Sequence, residues 1–152
     1  MNVLKILGKH HPDVPPVFSG FWDCRNLVPY DLARQKLGDR CNDPSQPRQN
    51  TWAGNRAFLL HNLIDNEAKV SVVAAGIADE DFDPTAWKTP LTRDFLKRFY
   101  GGWGDFGRGY AECLMAQPDP VIYSEWESRL AKTYHNDTVC MMGDAAHATS
   151  PW

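Results

Sequence analysis

Two apolar runs near the middle of the chain have the alternation and β-branched content of paired strands. They cover residues 57–64 and 69–75. The four residues between them, Asp65-Asn66-Glu67-Ala68, supply side chains that favour tight turns. This pattern predicts a β-hairpin, and it is the strongest local signal in the sequence.

The segment before the hairpin changes from strand to helix spacing at Pro29. Residues 17–22 and 24–28 are rich in aromatic and β-branched side chains, which favour strands. From Tyr30–Leu37 the apolar positions recur at helical spacing, and Gly38 stands where a left-handed C-terminal cap belongs. The pattern predicts strand structure followed by a short helix.

Polar and helical stretches flank the hairpin. Residues 39–50 are rich in Asp, Asn, Pro, Arg and Gln and contain almost nothing to bury, so we expect an exposed and mobile loop. Residues 105–116 have a helical pattern, although two glycines weaken its beginning. Two prolines close that helix before a predicted strand at residues 121–124.

Two Asx/Thr-Pro pairs predict helix beginnings after the hairpin. Asp83-Pro84 and Thr89-Pro90 each place a capping side chain before a proline, as is typical of helix N-termini. The predicted helix carries three apolar residues on one face and ends at two glycines: Leu91, Phe95, Phe99, Gly101 and Gly102.

The order of these elements favours an α+β fold. A central hairpin without a repeated strand-helix unit predicts a mixed, largely antiparallel sheet with helices on one side. The length of 152 residues and the apolar content suit one ordinary folded domain.

Charge and cysteine usage narrow the class of partner. The formal charge is −3 and no block of Lys or Arg occurs, which argues against nucleic acid or an anionic membrane surface as a partner. Small molecules or other proteins are expected instead.

Residues 1–9 lack a secretory core and cleavage site, so a cytoplasmic location is expected. Four widely spaced cysteines are predicted to be reduced thiols: Cys24, Cys41, Cys113 and Cys140.

No cluster has the spacing of a metal site. The acidic residues of 79–83 lack the glycine and the distant glutamate of a calcium loop and predict a solvated loop. Neither Cys140 with His147 nor His10 with His11 is accompanied by a second pair at ligand spacing. We therefore expect no metal.

The last part of the chain joins an apolar run to a glycine and a carboxylate. Residues 138–142 predict a strand, Gly143-Asp144 ends it, and residues 145–148 could open a helix. Glycine lets a ligand approach the backbone, and a fixed carboxylate can accept hydrogen bonds from sugar hydroxyls. The alternative is that Asp144 only caps the helix, and the two roles are compatible.

This string resembles a known cofactor motif. Gly143-Asp144-Ala145-Ala146-His147 with Pro151 is similar to the second flavin motif, G-D-A-A-H-x-x-x-P, of the class A flavoprotein monooxygenases, particularly the salicylate hydroxylase-like aromatic hydroxylases. The resemblance extends less specifically to Phe18-Ser19-Gly20 and residues 25–29, which are similar to the segment that opens this family's substrate domain. The hairpin and residues 99–103 also fit.

The resemblance implies roles for individual residues. In that family the aspartate binds the ribityl chain of FAD and the proline lies beside the isoalloxazine ring. The resemblance therefore implies that Gly143, Asp144, Ala145 and Pro151 contact FAD and that Trp152 also lies near the ring. His147 would fix the loop by hydrogen bonding and has no catalytic role. The resemblance further implies a substrate-binding domain over residues 1–137, and a strand and G-D motif of the FAD-binding domain over residues 138–152.

The implied activity is hydroxylation of a phenolic or benzoate-type aromatic with NAD(P)H and O₂. The family's amino-terminal G-x-G-x-x-G dinucleotide fold and its D-G motif, which hold the ADP half of FAD, are not found in this sequence. The glycines at positions 102, 104 and 107 have the G-x-G-x-x-G spacing but do not replace that fold. We therefore expect the chain to be an internal fragment of such an enzyme, inactive alone, and prone to self-association through the surface left by the missing FAD domain. Two alternatives remain: a non-catalytic binding or interaction module, and another flavin oxidoreductase such as an epoxidase or halogenase.

His61 is the one further candidate for catalysis. It lies in the predicted hairpin at a position that resembles a substrate-facing one in the family, where a histidine could orient or deprotonate a phenolic hydroxyl. The alternative is a histidine satisfied within the core or at the sheet edge.

Overall fold

A computed structural model describes residues 15–46, 48–66, 68–131, 133–136 and 138–151. The leading segment 1–9, the pair His10 and His11, and Trp152 lie outside the described residues. The predictions that fall on them stay predictions.

Strands and helices alternate irregularly along the chain. The strands are β1 (Val17–Pro29), β2 (Gln49–Ala53), β3 (Ala57–Ile64), β4 (Lys69–Ile77), β5 (Lys88–Pro90), β6 (Val121–Glu127), β7 (His135–Asn136) and β8 (Val139–Cys140). The helices are α1 (Tyr30–Leu37), α2 (Arg93–Tyr100), α3 (Gly104–Met115) and α4 (Asp144–His147). Short 3-10 turns follow α1 at Gly38–Arg40 and α2 at Gly101–Trp103.

Six strands form one sheet in the order β2-β3-β4-β1-β6-β5, and β7 pairs with β8 separately. The pairs β2–β3, β3–β4 and β5–β6 are antiparallel. Short connections between sequence neighbours, as from β2 to β4, require antiparallel pairing. The predicted α+β class with a largely antiparallel sheet is confirmed.

The described chain divides into two compact units. Residues 22–124 form one, and the described residues of 15–21 and 125–151 form the other. The division falls within β1 and within β6. This division does not test whether residues 138–152 belong to an FAD-binding domain, and that assignment stays a prediction.

The β3–β4 hairpin forms where the apolar alternation predicts it. Leu60 lies opposite Val73 in the antiparallel register. At the turn, Asp65 and Asn66 have φ values of 56° and 51°, a conformation that Asp and Asn tolerate better than most residues. The Ala68 amide donates to the Asp65 carbonyl at 3.1 Å and closes the turn.

The core of the 22–124 unit lies between the sheet and helices α1, α2 and α3. Because side chains alternate across a strand, one face of the sheet supplies most of the buried strand residues. On that face the fully buried strand residues include Trp22, Cys24, Val28, Leu59, Val70, Val72 and Ala74.

Two tyrosines connect the helices to the sheet backbone. Tyr100 in α2 donates to the carbonyls of Phe58 and Ala75, each at 2.9 Å. Tyr110 in α3 donates to the carbonyl of Leu60. Burial raises the pKa of both phenols, so both stay protonated and act as donors.

The stretch of residues 39–50 differs from the exposed loop that its composition predicts. Cys41 and Asn42 are buried, with exposures of 5% and 1%. The Asn42 side chain donates to the Arg48 carbonyl, which folds the stretch back on itself. It ends at Gln49, where edge strand β2 begins. Local polarity did not reveal this burial because the partner of the buried amide nitrogen, a backbone carbonyl of the same loop, is set only by folding.

Neither proline pair begins a helix, so that prediction is wrong. Asp83 accepts hydrogen bonds from the amide and hydroxyl of Thr85 at 2.9 and 2.7 Å, forming a turn. Thr89 lies in β5. The cap of α2 is Thr92, whose hydroxyl oxygen accepts from the Phe95 amide at 3.1 Å.

The second unit has little regular structure. The strand predicted at residues 138–142 is limited to β8, which pairs with β7. At the other side of the unit, the Ser19 hydroxyl donates to the Glu125 carbonyl at 3.0 Å. The rings of Phe18 and Trp126 meet edge to face at 6.0 Å.

Candidate functional site

The Gly143 loop joins β8 to the short helix α4. Gly143 has a φ of 60° and a ψ of −147°, a conformation open to glycine and costly for other residues. Its carbonyl accepts from the amides of Ala146 and His147 at 2.9 and 3.1 Å. A Cβ at Gly143 would meet no atom within 4 Å, so the backbone faces open space. The glycine is therefore needed for the turn and leaves the main chain accessible.

Asp144 is the first residue of α4, and its carboxylate is exposed. Gly143, rather than Asp144, occupies the cap position, and no side-chain capping hydrogen bond is made there. Within the described part of the chain, the Asp144 side chain has no hydrogen bond or ion pair. Capping therefore does not use the carboxylate, which remains available to a ligand.

The loop is held by main-chain hydrogen bonds and one small apolar contact. The Met141 amide donates to the Tyr134 carbonyl at 2.8 Å, and the Ser128 amide donates to the Ala148 carbonyl at 2.7 Å. Met141 and Ala146 are buried together with Tyr134 packed against them. These contacts leave the opposite side of the loop open.

The other motif residues are exposed as well. The side chains of Ala145 and Pro151 are exposed and are not buried against other residues. His147 is exposed, and its main-chain amide provides the hydrogen bond to Gly143. The loop is thus ordered by backbone and presents a carboxylate and small side chains outward.

These features fit the ribityl part of FAD. A polyol needs a fixed hydrogen-bond acceptor and close access to main-chain atoms, and the loop offers the Asp144 carboxylate beside the open Gly143 backbone. The small side chain of Ala145 adds no steric barrier. The geometry of the loop is compatible with the role that the motif predicts.

His61 lies in a different environment. It is fully buried in β3, stacked on Trp52 with ring centroids 4.8 Å apart and 19° between planes, and 5.9 Å from the Tyr110 ring. Its Nε2 lies 2.9 Å from the Arg40 carbonyl. Because a carbonyl can only accept, Nε2 carries the proton and Nδ1 is an acceptor.

The buried acceptor of His61 is not used by the described residues. Nδ1 is inaccessible and has no hydrogen-bond partner among them. Burial lowers the pKa of His61 from 6.5 to about 4, and the hydrogen bond to the Arg40 carbonyl opposes this shift. The imidazole is therefore neutral at physiological pH.

The two predicted sites fall in different units. His61 belongs to the unit of residues 22–124, and Gly143, Asp144, Ala145 and Pro151 belong to the other. Sequence reasoning missed Trp52 and the Arg40 carbonyl as neighbours of His61. Residues 49–53 form an edge strand in which half-buried and exposed side chains alternate, and this alternation could have placed Trp52 on the inner face. The polar composition of the segment obscured it.

Two further properties concern the described residues alone. Within them, no group of three or more His, Cys, Asp or Glu side chains could hold a metal ion. No helix in the described part of the chain is long and apolar enough to cross a bilayer.

Curated relatives of the chain are flavin monooxygenases. The 6-methylsalicylate 1-monooxygenase of Aspergillus terreus is 27% identical over 147 residues, covering 97% of this chain and 31% of the relative. An FAD-dependent monooxygenase of Aspergillus niger is 28% identical over 152 residues, covering 96% and 32%. The salicylate hydroxylase of Pseudomonas putida is 28% identical over 106 residues, covering 66% and 24%. No family model matches the chain.

Solved structures share the fold. A salicylate hydroxylase in a substrate complex superimposes with a TM-score of 0.73 at 22% identity, covering 97% of this chain and 36% of that one. CtdE in complex with FAD and a substrate gives a TM-score of 0.71 at 13% identity, covering 92% and 35%. The chain thus spans about a third of the length of the proteins it matches. In sequence the chain is thus similar to proteins named as FAD-dependent monooxygenases and to salicylate hydroxylase, and it shares the fold of a solved salicylate hydroxylase.

Proposed function

We propose that the chain is the substrate-side part of an FAD-dependent monooxygenase that hydroxylates a phenolic or benzoate-type aromatic with NAD(P)H and O₂. In this proposal residues 1–137 form the substrate-binding domain, and residues 138–152 supply a loop of the FAD site. The chain alone would be inactive because its sequence has no D-G motif, and because its glycines of G-x-G-x-x-G spacing, at positions 102, 104 and 107, lie in a 3-10 turn and in α3 and not between a strand and a helix.

The observation that carries the proposal is the open carboxylate of Asp144. It lies beside a glycine of positive φ, in a motif typical of flavin enzymes, and it neither caps α4 nor pairs within the described residues. The names of the relatives, 6-methylsalicylate 1-monooxygenase and salicylate hydroxylase, support an aromatic acid as the substrate class.

In this proposal the residues hold and orient, and FAD supplies the oxygen-transfer chemistry when bound. Asp144 would accept hydrogen bonds from the ribityl hydroxyls, and Gly143 and Ala145 would leave room for that chain. Pro151 would offer an apolar surface to the ring.

His61 is better suited to orientation than to proton abstraction. A pKa of about 4 makes its neutral imidazole a weak base toward a phenol, whose pKa is near 10. Its Nδ1 is a buried acceptor without a partner among the described residues, so it could accept a hydrogen bond from a phenolic hydroxyl that reaches it. We therefore propose that His61 orients the substrate hydroxyl and does not abstract its proton.

The direct test is FAD binding by the purified chain, followed by its visible spectrum. The proposal predicts that the purified chain does not bind FAD stoichiometrically, because the residues that hold the ADP half of FAD are not in this chain. One bound FAD per chain would contradict the claim that the chain is incomplete.

Activity is tested in a chimera. The chain replaces the aligned 147 residues of the Aspergillus terreus enzyme, and bound flavin and salicylate-dependent NAD(P)H oxidation are measured. Asp144→Asn should lose flavin by at least tenfold in affinity, roughly the cost of a charge-assisted hydrogen bond. The matched change at another exposed carboxylate, Asp119→Asn, should not. Full flavin binding without NAD(P)H oxidation on any aromatic acid would favour the non-catalytic module, and turnover of a non-aromatic substrate would favour the epoxidase or halogenase reading.

We also propose that the isolated chain self-associates. In the unit containing the Gly143 loop, Leu130, Val139 and Met142 are 87%, 45% and 78% exposed. Exposed apolar side chains favour association. Light scattering on the purified chain should give a mass above that of a monomer, and a monodisperse monomer would contradict this.

A cytoplasmic location is likewise proposed. All four cysteines are free thiols, as is usual in a reducing compartment. Microscopy of a fluorescent fusion of the full-length protein tests this, and an organellar or secreted signal would contradict it.

A further inference from the structure

A cleft of about 280 Å³ lies between α2 and α3. Its floor is lined by Leu96 and Tyr100 from α2, which are 1% and 3% exposed, and by Ala111 from α3. Gly101 and Gly107 leave it open. Small-molecule sites usually measure roughly 300–1,000 Å³ and are mostly apolar with a few polar groups. The cleft is of a size for a single ring with a small substituent.

The cleft is fixed by backbone packing. A Cβ at Gly107 would come within 2.6 Å of the Tyr100 carbonyl oxygen and 2.8 Å of the Trp103 Cβ, so only glycine allows α3 to approach α2 this closely. Tyr100 is itself held by its hydrogen bonds to the Phe58 and Ala75 carbonyls. A preformed cleft binds a ligand with little ordering cost.

Cations dominate the rim. Arg93 and Lys97 lie one turn apart on α2, Arg108 comes from α3, and Glu112 is the one acid among the lining residues. Lys36 pairs with Glu112 at 2.5 Å and lowers its carboxyl pKa. The charge of Glu112 is therefore balanced from outside the cleft.

The cations of α2 have weaker partners. Arg108 pairs with Asp105. Arg93 contributes to lowering the pKa of Glu112, but neither Arg93 nor Lys97 forms a salt bridge among the residues that the structure describes. Like charges one turn apart on a helix repel each other. An anion between them would relieve that repulsion, and it would do so in a protein whose formal charge is −3.

We propose that this cleft binds a small aromatic carboxylate, with the ring against Leu96 and Ala111 and the carboxylate between Arg93 and Lys97. Inorganic phosphate would leave the apolar floor uncovered, and a long-chain fatty acid would exceed the cleft. None of the lining residues is His61 or belongs to the Gly143 loop. The site is therefore independent of the flavin proposal and holds whether or not that proposal is correct.

The first test needs no variant. Fluorine NMR follows 4-fluorobenzoate and its neutral analogue 4-fluorobenzamide during titration with the chain. The cleft predicts a dissociation constant on the order of 1 mM for the acid, a plausible value for a ligand of this size, and at least about tenfold weaker binding of the amide. No binding of the acid, or equal binding of the two, would overturn the proposal.

Variants then locate the binding. Arg93→Gln with Lys97→Gln should weaken 4-fluorobenzoate binding at least about tenfold because it removes both carboxylate partners. Ala111→Leu should weaken it similarly by filling the floor while keeping every charge. The matched double change of exposed cations elsewhere, Lys88→Gln with Arg129→Gln, should have no effect. Thermal unfolding confirms that each variant is folded. Unchanged binding in the Ala111→Leu chain would show that the acid binds outside the cleft and would overturn the proposal.

Discussion

The hairpin core and the Gly143 loop are stabilised in opposite ways. In the core, Trp22 is fully buried, with the Phe95 and Phe99 rings 4.8 and 4.7 Å from its own. In the loop, main-chain hydrogen bonds set the shape, and Met142 is 78% exposed. Close packing makes the core intolerant of volume changes, while backbone bonding lets the loop present its side chains outward. A scaffold and a ligand-contacting segment differ in this way.

The largest expected effect is the loss of stability when a large side chain is removed from the core and not from the loop. Trp22→Ala should lower the free energy of unfolding by about 3–5 kcal/mol, because it leaves a cavity among aromatic rings. Met142→Ala should change it by less than about 0.5 kcal/mol, since that side chain is already in water. Urea unfolding of both variants measures the difference. Similar losses in the two variants would contradict the comparison.

The next effect concerns pH. The pKa of His61 falls from 6.5 in the unfolded chain to about 4 in the folded one, so the unfolded state binds a proton first. Stability is therefore complete above pH 6.5 and declines as the pH falls toward 4, by about 3 kcal/mol in total.

Urea unfolding across this window measures the decline, and His61→Phe is the control. Phenylalanine keeps a ring against Trp52 but cannot titrate, so this variant should lose most of the pH dependence between 6.5 and 4. If its dependence matched that of the original chain, another group would be responsible.

A smaller effect tests the close helix contact of the core. A Cβ at Gly109 would lie 2.1 Å from the Lys36 carbonyl oxygen, so Gly109→Ala must separate α1 from α3 and should cost about 1–3 kcal/mol. Gly102 has nothing within 4 Å and no positive φ, and Gly102→Ala should lie within about 0.5 kcal/mol of the original. Thermal unfolding of the pair is the measurement, and equal midpoints would refute the contact.

The smallest effect compares the two helix beginnings. Thr92→Ala removes the cap of α2 and should cost about 1 kcal/mol. Asp144→Ala should cost less than about 0.5 kcal/mol, because its carboxylate makes no capping bond. A loss at Asp144 as large as that at Thr92 would restore the capping role that its sequence allows.

The correct and the wrong sequence predictions have different physical origins. The hairpin and α1 were predictable because turn chemistry and apolar spacing act over a few residues. The cap of α2 was placed at Thr89 instead of Thr92 because both are threonines in similar contexts. Pairing of β5 with β6, a contact between distant residues, excluded the first. The buried Asn42 was missed because its partner, the Arg48 carbonyl, is visible only after the loop has folded.

The sequence by itself determined the hairpin, α1, the α+β class and the position of the glycine-aspartate motif, since each depends on local order and residue type. Only the tertiary structure decided which polar groups are buried, that the Asp144 carboxylate is open, and that His61 is neutral. These properties depend on atoms far apart in the chain, whose desolvation and hydrogen bonding are set by packing. The cleft between α2 and α3 is of the same kind, because a glycine in one helix and a carbonyl in the other define it.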